Sequence, residues 1–353
     1  LDLGRDVGDV RLRGGDGGLG LGERHAVVAL VDAGNHVALH DMLIVGDRHR
    51  GQVARDLGRN GELARDYAQR HGVARAHDDA DALIADPEVD AVYIATPPDS
   101  HSDYAIRVAQ AGKPVYIEKP MGRTGAECRR VLDVAERAGV PVFVAFYRRT
   151  MPRFELAREL IATELGEVGA VLAGCQQRAD PLIDGEVPWR LNPAVAGGGL
   201  FVDLGSHTLD WLDHVFGPIR SVSGHAGRPL AGRGTVETVV SASFAFDGVV
   251  GSGLWDFDAS ETLDLIEVVG TRGTLRMSSF TAEPLELIRG AERTLIEAPY
   301  PTTVQLPMIQ QITDVLLGRA EVAVSTGATA LRTAEVVDTV LADYRAEHDL
   351  SLG

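Results

Sequence analysis

Short apolar segments alternate with amphipathic helical segments between residues 61 and 146, and this alternation restricts the possible fold more than any other feature. Three of the apolar segments, Val89–Ala95, Val115–Ile117 and Val142–Phe146, have the length and composition of buried strands. The helices predicted around them are Glu62–His71, Ala80–Ala85, Asp103–Ala111 and Thr124–Ala138, the last with the capping-box pattern of Thr124 and Glu127. Alternation of this kind predicts an α/β fold with a doubly wound parallel sheet.

The pattern changes after residue 148, where strands separated by turns replace the alternation. The strongest hairpin signal joins Val236–Phe246 to Val249–Phe257 through an Asp-Gly turn. Further strands are predicted at Val168–Gln176, Leu263–Val269, Thr274–Met277, Leu285–Ile288 and Thr294–Ile296, with helices at Phe154–Thr163, Val304–Leu317 and Ala328–Ala346. We therefore predict a doubly wound α/β domain over residues 1–148 and an α+β domain over residues 149–353. The second domain would have a large, mostly antiparallel open sheet, and its last helix could pack back on the first domain.

The composition argues against several classes of partner. The 353 residues carry a formal net charge of −17, which disfavours binding to nucleic acid or to anionic membranes. No apolar run is long enough to cross a membrane, and the charged first residues do not resemble a signal peptide, so the cytoplasm is the expected compartment. The chain does not begin with methionine, so a leader upstream stays an open alternative. Cys128 and Cys175 lack metal-ligand spacing, and no metal site is predicted.

Residues 1–59 differ in composition from the rest of the chain. They contain twelve glycines but no Ser, Thr, Pro, Lys, Cys, Phe, Tyr or Trp. Gly15, Gly17 and Gly20 satisfy the GxGxxG pattern of a dinucleotide-binding loop, with His25–Ala33 as a candidate for the helix that follows. Charged residues alternate through the segment before the glycines, where a buried strand is expected. Two interpretations stay open: a working phosphate loop, or a segment that is not native coding sequence, for instance an out-of-frame start.

Glu118-Lys119-Pro120 ends the predicted strand Val115–Ile117 abruptly, because proline cannot donate a hydrogen bond to a sheet. Ligands of open α/β sheets bind beyond the carboxyl ends of the strands, so Lys119 is expected to face a cleft. Lys119 and Lys113 are the only lysines, against 32 arginines. Where charge alone is needed this chain uses arginine, so a lysine at this position suggests a group that exchanges a proton. The alternative is an ordinary surface lysine.

A second candidate stretch is GGGLFVDLGSHTLD, residues 197–210, in which Asp203, His207 and Asp210 have helical spacing. On a regular helix all three would lie on one face. An acid next to a histidine fixes its tautomer and raises its pKa toward neutral pH, as a general acid–base requires. The three glycines would let the backbone approach a ligand closely. The alternative is a satisfied histidine with an ordinary carboxylate partner on a surface helix.

Together these motifs resemble those of the glucose-fructose oxidoreductase, inositol dehydrogenase and MocA (Gfo/Idh/MocA) family of NAD(P)-dependent oxidoreductases. The resemblance covers the chain from about residue 60 to its end. The segments that carry it are Ala95–His101 (ATPPDSH), Gly112–Pro114, Glu118–Pro120, Phe146–Arg149, Trp189-Arg190 and residues 197–210. Within the family, Tyr147–Arg149 and Trp189-Arg190 look most like the branch that contains anhydrofructose reductases and dihydrodiol dehydrogenases.

The resemblance implies that residues 1–148 form a Rossmann domain that binds NAD or NADP, and that residues 149–353 form the substrate-binding domain. It implies an NAD(P)-dependent dehydrogenase or reductase that transfers hydride between a nicotinamide and a sugar- or polyol-like secondary alcohol or its ketone. It implies Lys119, Asp203 and His207 as the catalytic residues. The residues implied for the cofactor and its pocket are Thr96, Pro97, Pro98, His101, Glu118, Lys119, Tyr147, Trp189 and Arg190, with Gly15, Gly17 and Gly20 as the candidate phosphate loop.

The family's first strand, glycine loop and second strand would fall within the unusual residues 1–59. Arg59 lies near the expected end of the second strand, and its charge would favour the 2′-phosphate of NADP over NAD. A rival from another class is a non-catalytic sensor of a sugar or dinucleotide, against which the intact Lys119, Asp203 and His207 argue. A third alternative is a folded chain with an impaired cofactor site. The exposed face of an open sheet predicts a homo-oligomer, either a dimer or a tetramer.

Overall fold

The structure of the protein is a computed structural model. It describes the backbone of Val28–Asp32 and, with side chains, His77, Leu352 and residues 79–178, 188–227 and 235–350. The candidate loop Gly15–Gly20, Arg59 and the predicted helix Glu62–His71 lie outside these residues. Within the part of the chain that is described, no helix is both long enough and apolar enough to cross a membrane.

The first half of the described chain forms a four-stranded parallel sheet. Its strands, which neighbour one another in chain order, are β1 (Val28–Asp32), β2 (Ala91–Ala95), β3 (Val115–Ile117) and β4 (Val142–Val144). Its helices are α1 (Ala80–Ala85), α2 (Pro98–Gln110) and α3 (Gly125–Ala138). Every neighbouring pair of strands is parallel, which confirms the predicted Rossmann-type sheet.

The strands of this sheet are apolar along their length because both of its faces are covered. Val92, Ile94, Val115, Ile117 and Val144 have no exposed surface. Burying a side chain of this kind stabilises the fold by about 1.5–3 kcal/mol. The sheet therefore holds the residues at its strand ends on a well-packed base.

The helix predicted at His25–Ala33 is wrong. Val28–Asp32 is a strand that pairs in parallel with β2 over its whole length. A short apolar run fits a buried strand as well as a helix, and periodicity alone does not separate the two.

The starts of α2 and α3 each differ from the prediction in one respect. α2 begins at Pro98 and not at Asp103, because a proline is tolerated in the first turn, where its missing N–H would have no partner. At the start of α3, Thr124 Oγ1 accepts a hydrogen bond from Glu127 N as expected. The Glu127 carboxylate, however, accepts from Arg123 N, so only one half of the predicted capping box forms.

The second half forms an eight-stranded sheet. Its strands are β5 (Val168–Gln176), β6 (Ser221–Gly227), β7 (Val239–Ala245), β8 (Val250–Asp256), β9 (Leu263–Gly270), β10 (Thr274–Met277), β11 (Leu285–Arg289) and β12 (Glu292–Ile296). They lie in the order β12-β11-β10-β9-β5-β8-β7-β6. Only the β5–β8 pair is parallel, so the predicted, mostly antiparallel sheet is confirmed.

Helices cover one face of this sheet. The helices of this half are α4 (Pro152–Glu164), α5 (Pro193–Ala196), α6 (Ser206–Phe216), α7 (Leu306–Leu316) and α8 (Gly327–Glu347). Phe154 of α4 and Trp211 of α6 share one core with Trp255 of β8. Leu172 and Leu254 are 47% and 41% exposed, and the sheet is therefore open on its other side.

The two C-terminal helices pack back on the first sheet. Met308 and Ile312 of α7 share a buried cluster with Tyr116 of β3. Asp338 of α8 accepts a hydrogen bond from Gly125 N, at the start of α3, at 2.7 Å. Because the end of the chain completes the first domain, the boundary between residues 148 and 149 stays a prediction.

Candidate active site

The carboxyl ends of β2, β3 and β4 meet at one edge of the first sheet, and predicted site residues follow them directly. Thr96 follows β2, and Glu118 and Lys119 follow β3. Tyr147 begins a 3-10 turn, Tyr147–Thr150, shortly after β4. This edge is where ligands bind in open α/β sheets.

Lys119 reaches from this edge to the second domain. Its Nζ donates to the backbone oxygen of Asp203 at 2.9 Å and also to Asp203 Oδ1. Burial raises the pKa of Asp203, but the charge and hydrogen bond of Lys119 outweigh it, so the pKa lies below its ordinary value. A lysine amine carries three hydrogens, so one remains for a ligand.

Glu118 supports the loop that carries Lys119. Its Oε1 accepts from Tyr93 Oη and, at 2.7 Å, from Gln305 Nε2. Its Oε2 accepts from the backbone N of Lys119 at 3.1 Å. Tyr116 Oη donates to Gln305 Oε1 at 3.1 Å, which ties β3 and α7 into the same network. The Glu118 carboxylate therefore fixes the backbone next to the lysine.

The helix that carries Asp203 and His207 is not uniform. A π-helical turn, Phe201–Gly205, leads directly into α6. A π turn holds more residues than an α turn, so residues four apart across it no longer stack. Neither carboxylate is the partner of His207 that the spacing predicted: Asp203 bonds to Lys119, and Asp210 bonds to Arg149.

Asp210 belongs to a buried ion-pair network beside the site. Its carboxylate accepts two hydrogen bonds from the Arg149 guanidinium, at 2.7 and 2.8 Å. Arg149 also donates to Asp213, and Asp213 accepts a further hydrogen bond from Arg332 of α8. Thr333 donates to Asp210 at 3.2 Å. The network locks α6 to α8 and so supports the helix that carries His207.

His207 is buried among aromatic rings. Its ring lies edge to face with those of Tyr147, Phe146 and Phe280, at centroid distances of 5.4, 5.8 and 6.3 Å. Its Nδ1 is buried and has no hydrogen-bond partner among the described residues. The ring is therefore fixed by packing, and Nε2 is the nitrogen left for a ligand.

The predicted rise in the pKa of His207 is wrong. Burial lowers this pKa well below its ordinary value, and the charges of Arg148 and Lys119 lower it further. Asp203, the predicted carboxylate partner, is paired with Lys119 and does not offset the effect of burial. The lowered pKa favours the neutral form of the imidazole.

His101 ties two strand ends together. Its Nδ1 lies 2.7 Å from Pro120 O, and its Nε2 lies 2.6 Å from Thr96 O. The residue is 1% exposed, and both ring nitrogens are already engaged. Ser100 Oγ also donates to Thr96 Oγ1, at 2.7 Å. These contacts give His101 a positioning role, and its predicted direct contact with a cofactor stays a prediction.

The remaining predicted residues lie at the border of the site. Pro97 precedes α2 and Pro98 begins it. Trp189 and Arg190 lie in a 3-10 turn, where the Arg190 guanidinium is 4.4 Å from the centre of the Trp189 ring. Arg190 Nε is also 3.5 Å from Asp203 Oδ2. Asp203 is thus held by a second cation in addition to the lysine.

Arg148, Phe280 and Gln305 are site residues to which sequence reasoning assigned no role. The Arg148 guanidinium lies 4.6 Å from the centre of the Phe280 ring and 5.1 Å from that of Tyr147, and its Nε donates to Ser279 O. Its place in the Tyr-Arg-Arg segment was the only signal available. Phe280 and Gln305 are distant in sequence and no local pattern marks them.

The described site fits the nicotinamide half of a dinucleotide. Arg148 Nη1 is buried without a partner among the described residues, and a bound ligand or water would satisfy it. The adenosine half would fall to residues outside the described ones, and the candidate loop Gly15, Gly17 and Gly20 stays a prediction. In the described part of the chain, no three His, Cys, Asp or Glu side chains are grouped so as to hold a metal ion.

A parallel sheet with a lysine at its ligand-binding edge, joined to an acid and a histidine on a second sheet domain, defines a dinucleotide-dependent oxidoreductase. Comparisons with known proteins agree. A model of the oxidoreductase family with an NAD-binding Rossmann fold matches residues 24–146, and the GFO/IDH/MocA C-terminal domain matches residues 154–276. The chain belongs to the Gfo/Idh/MocA family of oxidoreductases, as the resemblance predicted. The match begins at residue 24, after the pattern Gly15–Gly20.

The curated relatives include oxidoreductases and dehydrogenases. Oxidoreductase P35 of Formosa agariphila is 35% identical over 261 residues, 72% of this chain and 79% of the relative. Levoglucosan dehydrogenase of Pseudarthrobacter phenanthrenivorans is 34% identical over 46% of this chain and 42% of its own length. A solved structure of levoglucosan dehydrogenase with NADH and levoglucosan has the same fold, with a TM-score of 0.73, 24% identity, and coverage of 91% of this chain and 98% of the other.

Proposed function

We propose that this enzyme moves hydride between C4 of a nicotinamide dinucleotide and the carbinol carbon of a sugar- or polyol-like secondary alcohol or its ketone. The observation that carries the proposal is the contact between Lys119, at the end of β3, and Asp203, on the π turn of the second domain. This contact places a cation and a neutral histidine where the cofactor edge of one domain meets the sheet of the other.

A bound dinucleotide supplies or accepts the hydride. Lys119 donates its remaining N–H to the substrate oxygen and stabilises the negative charge that develops there. Asp203 accepts two hydrogen bonds from the same amine, one at its backbone oxygen and one at Oδ1, and so fixes the orientation of the Lys119 amine. His207 takes or returns the hydroxyl proton at Nε2, because Nδ1 is sealed among the aromatic rings.

The names of the relatives support a cyclic sugar or polyol as the substrate class. Levoglucosan dehydrogenase is among them, and its solved complex holds NADH and levoglucosan. Tyr147, whose ring contacts that of His207, and Trp189, next to Arg190 in the chain, supply aromatic rings near the site, which suit the apolar face of a sugar ring. A homo-oligomer formed through the exposed sheet face and a cytoplasmic location complete the proposal.

Fluorescence titration with NADH and NADPH tests the cofactor part. We expect saturable binding of both, with a preference for NADPH if Arg59 faces the 2′-phosphate. Arg59→Ala should then weaken NADPH binding more than NADH binding. Absence of binding to either would contradict the proposed function, and binding without oxidation of any sugar or polyol would favour the sensor.

A further inference from the structure

The triple-glycine turn before the π turn packs against a buried carboxylate. Glu237 is 2% exposed, and its Oε1 accepts a hydrogen bond from Gly199 N at 2.8 Å. A Cβ on Gly199 would lie only 2.5 Å from Glu237 O and 3.1 Å from Glu237 Oε1. The glycine at this position is therefore required by Glu237, and no contact with a ligand is needed to explain it.

A short path leads from this hydrogen bond to Lys119. Gly199 O accepts from Val202 N at 3.1 Å, which sets the first turn of the helix. Asp203 follows, and its backbone oxygen and carboxylate both accept from Lys119 Nζ. A shift of the glycine turn would thus move the backbone oxygen that holds the lysine.

The surroundings of Glu237 leave the hydrogen bond to Gly199 as its main polar contact outside its own backbone. Among the described residues, Arg345 of α8 is the one charged side chain that acts on it electrostatically, and this guanidinium donates to Gly197 O at 2.9 Å and to Asp338. Burial raises the pKa of Glu237 to about 7. Burying a carboxyl group costs free energy, so its presence here suggests a role that an apolar residue could not fill.

We propose that Glu237 is a positioning residue, which holds the Gly197–Gly199 turn and thereby places Asp203 against Lys119. The contacts above support the role of Glu237 in holding the turn. The effect of this role on turnover rests on the proposed function.

The two lysines of the chain make this geometry measurable without a substrate. Biosynthetic labelling with ¹³C-lysine gives two Cε signals, one from Lys119 and one from Lys113, which serves as an internal reference. We expect Glu237→Ala to move the Lys119 signal toward that of a free lysine and to leave Lys113 in place. Glu237→Gln keeps the acceptor and should leave both signals near their parental positions.

Two further variants serve as controls for this measurement. Glu237→Asp keeps the charge but shortens the side chain, so it should displace the Lys119 signal as Glu237→Ala does. If Glu237→Ala does not fold, Glu237→Asp replaces it in the test. Glu267→Ala removes a carboxylate that pairs with Arg276 on the same sheet and should move neither lysine signal. A Lys119 signal unchanged in both the alanine and the aspartate variants would overturn the proposal.

Kinetics provide the second readout. We expect Glu237→Ala to lower hydride-transfer turnover at least about tenfold at saturating substrate, since small displacements of reacting groups are costly. NADH affinity should stay within about twofold, and Glu237→Gln should restore most of the turnover. Equal turnover in parent and alanine variant would overturn the positioning role. If the parent itself transfers no hydride, the proposed function fails, while the lysine signals still decide the role of Glu237.

Discussion

At the scale of single residues, the site consists of a neutral imidazole surrounded by positive charge. His207 is buried, and Arg148 and Lys119 both disfavour its protonation. A neutral histidine is ready to accept a proton, so the resting site suits alcohol oxidation. Asp203 compensates the charge of Lys119, whereas no ion pair within the described residues compensates that of Arg148.

The acid limb of the pH profile tests this charge arrangement. Because the pKa of His207 lies well below its ordinary value of 6.5, kcat/KM for alcohol oxidation should hold its plateau below that pH and fall only in more acidic solution. Arg148→Gln removes one of the charges and should move this limb to higher pH. Imidazole NMR of His207 in parent and variant measures the same shift directly.

Arg129→Gln is the matched control, since Arg129 pairs with Glu335 on the exposed side of α3. It should leave the limb where it is. An acid limb that stays in place in Arg148→Gln would show that the charge of Arg148 does not lower the pKa of His207.

The sequence predicted which residues gather at the site better than it predicted how they pair. Lys119, Asp203 and His207 follow from strand-end position and spacing, and the structure brings them to one edge. Their pairing depends on the π turn and on Arg148, which comes from the end of another strand. The inference from spacing required a regular helix, and it therefore paired Asp203 with His207. In the structure Asp203 pairs with Lys119.

At the scale of elements, α6 carries the histidine and the Arg149 network holds α6 in place. Arg149 is 3% exposed and bonds to both Asp210 and Asp213. Removing one partner of a buried ion pair leaves an uncompensated charge, which is more costly than the pair itself is stabilising.

Arg149→Leu should therefore lower the free energy of unfolding by roughly 3–5 kcal/mol. Urea denaturation followed by far-UV circular dichroism measures it. Arg129→Leu breaks an exposed pair with Glu335 and should cost no more than about 1 kcal/mol. Similar losses in the two variants would show that the buried network contributes no more than a surface pair.

Most strands and helices after residue 79 were predictable because their apolar patterns are long and their stops are Gly or Pro. The strand at Val28–Asp32 was not, because its short apolar run lies among glycines and charges that obscure its limits. The π turn was not predictable either, since nothing in Phe201–Gly205 distinguishes it from an α-helical turn before tertiary contacts are known.

At the scale of the whole molecule, the return of α7 and α8 to the first sheet couples the two halves of the chain. Asp338 caps α3 and also pairs with Arg345, whose guanidinium reaches the glycine turn of the site. Sequence order suggests two successive domains, but the last helices complete the first one. Pattern analysis predicted both sheets and allowed for the return of the last helix, but the contacts that hold α7 and α8 join residues far apart in sequence, and no local pattern specified them.

The central claim is that Lys119 stabilises charge on the substrate oxygen and His207 exchanges the hydroxyl proton, while hydride moves between a nicotinamide and a sugar-like substrate. Single-turnover hydride transfer tests it most directly, followed by the absorbance of the reduced nicotinamide at saturating cofactor and a cyclic polyol identified by an oxidation screen. We predict that His207→Ala slows this step by about 10²–10⁴-fold, and that Lys119→Arg slows it by about two orders of magnitude although the charge is kept. Rates within a few-fold of the parent in both variants, with NADH binding unchanged, would contradict the account.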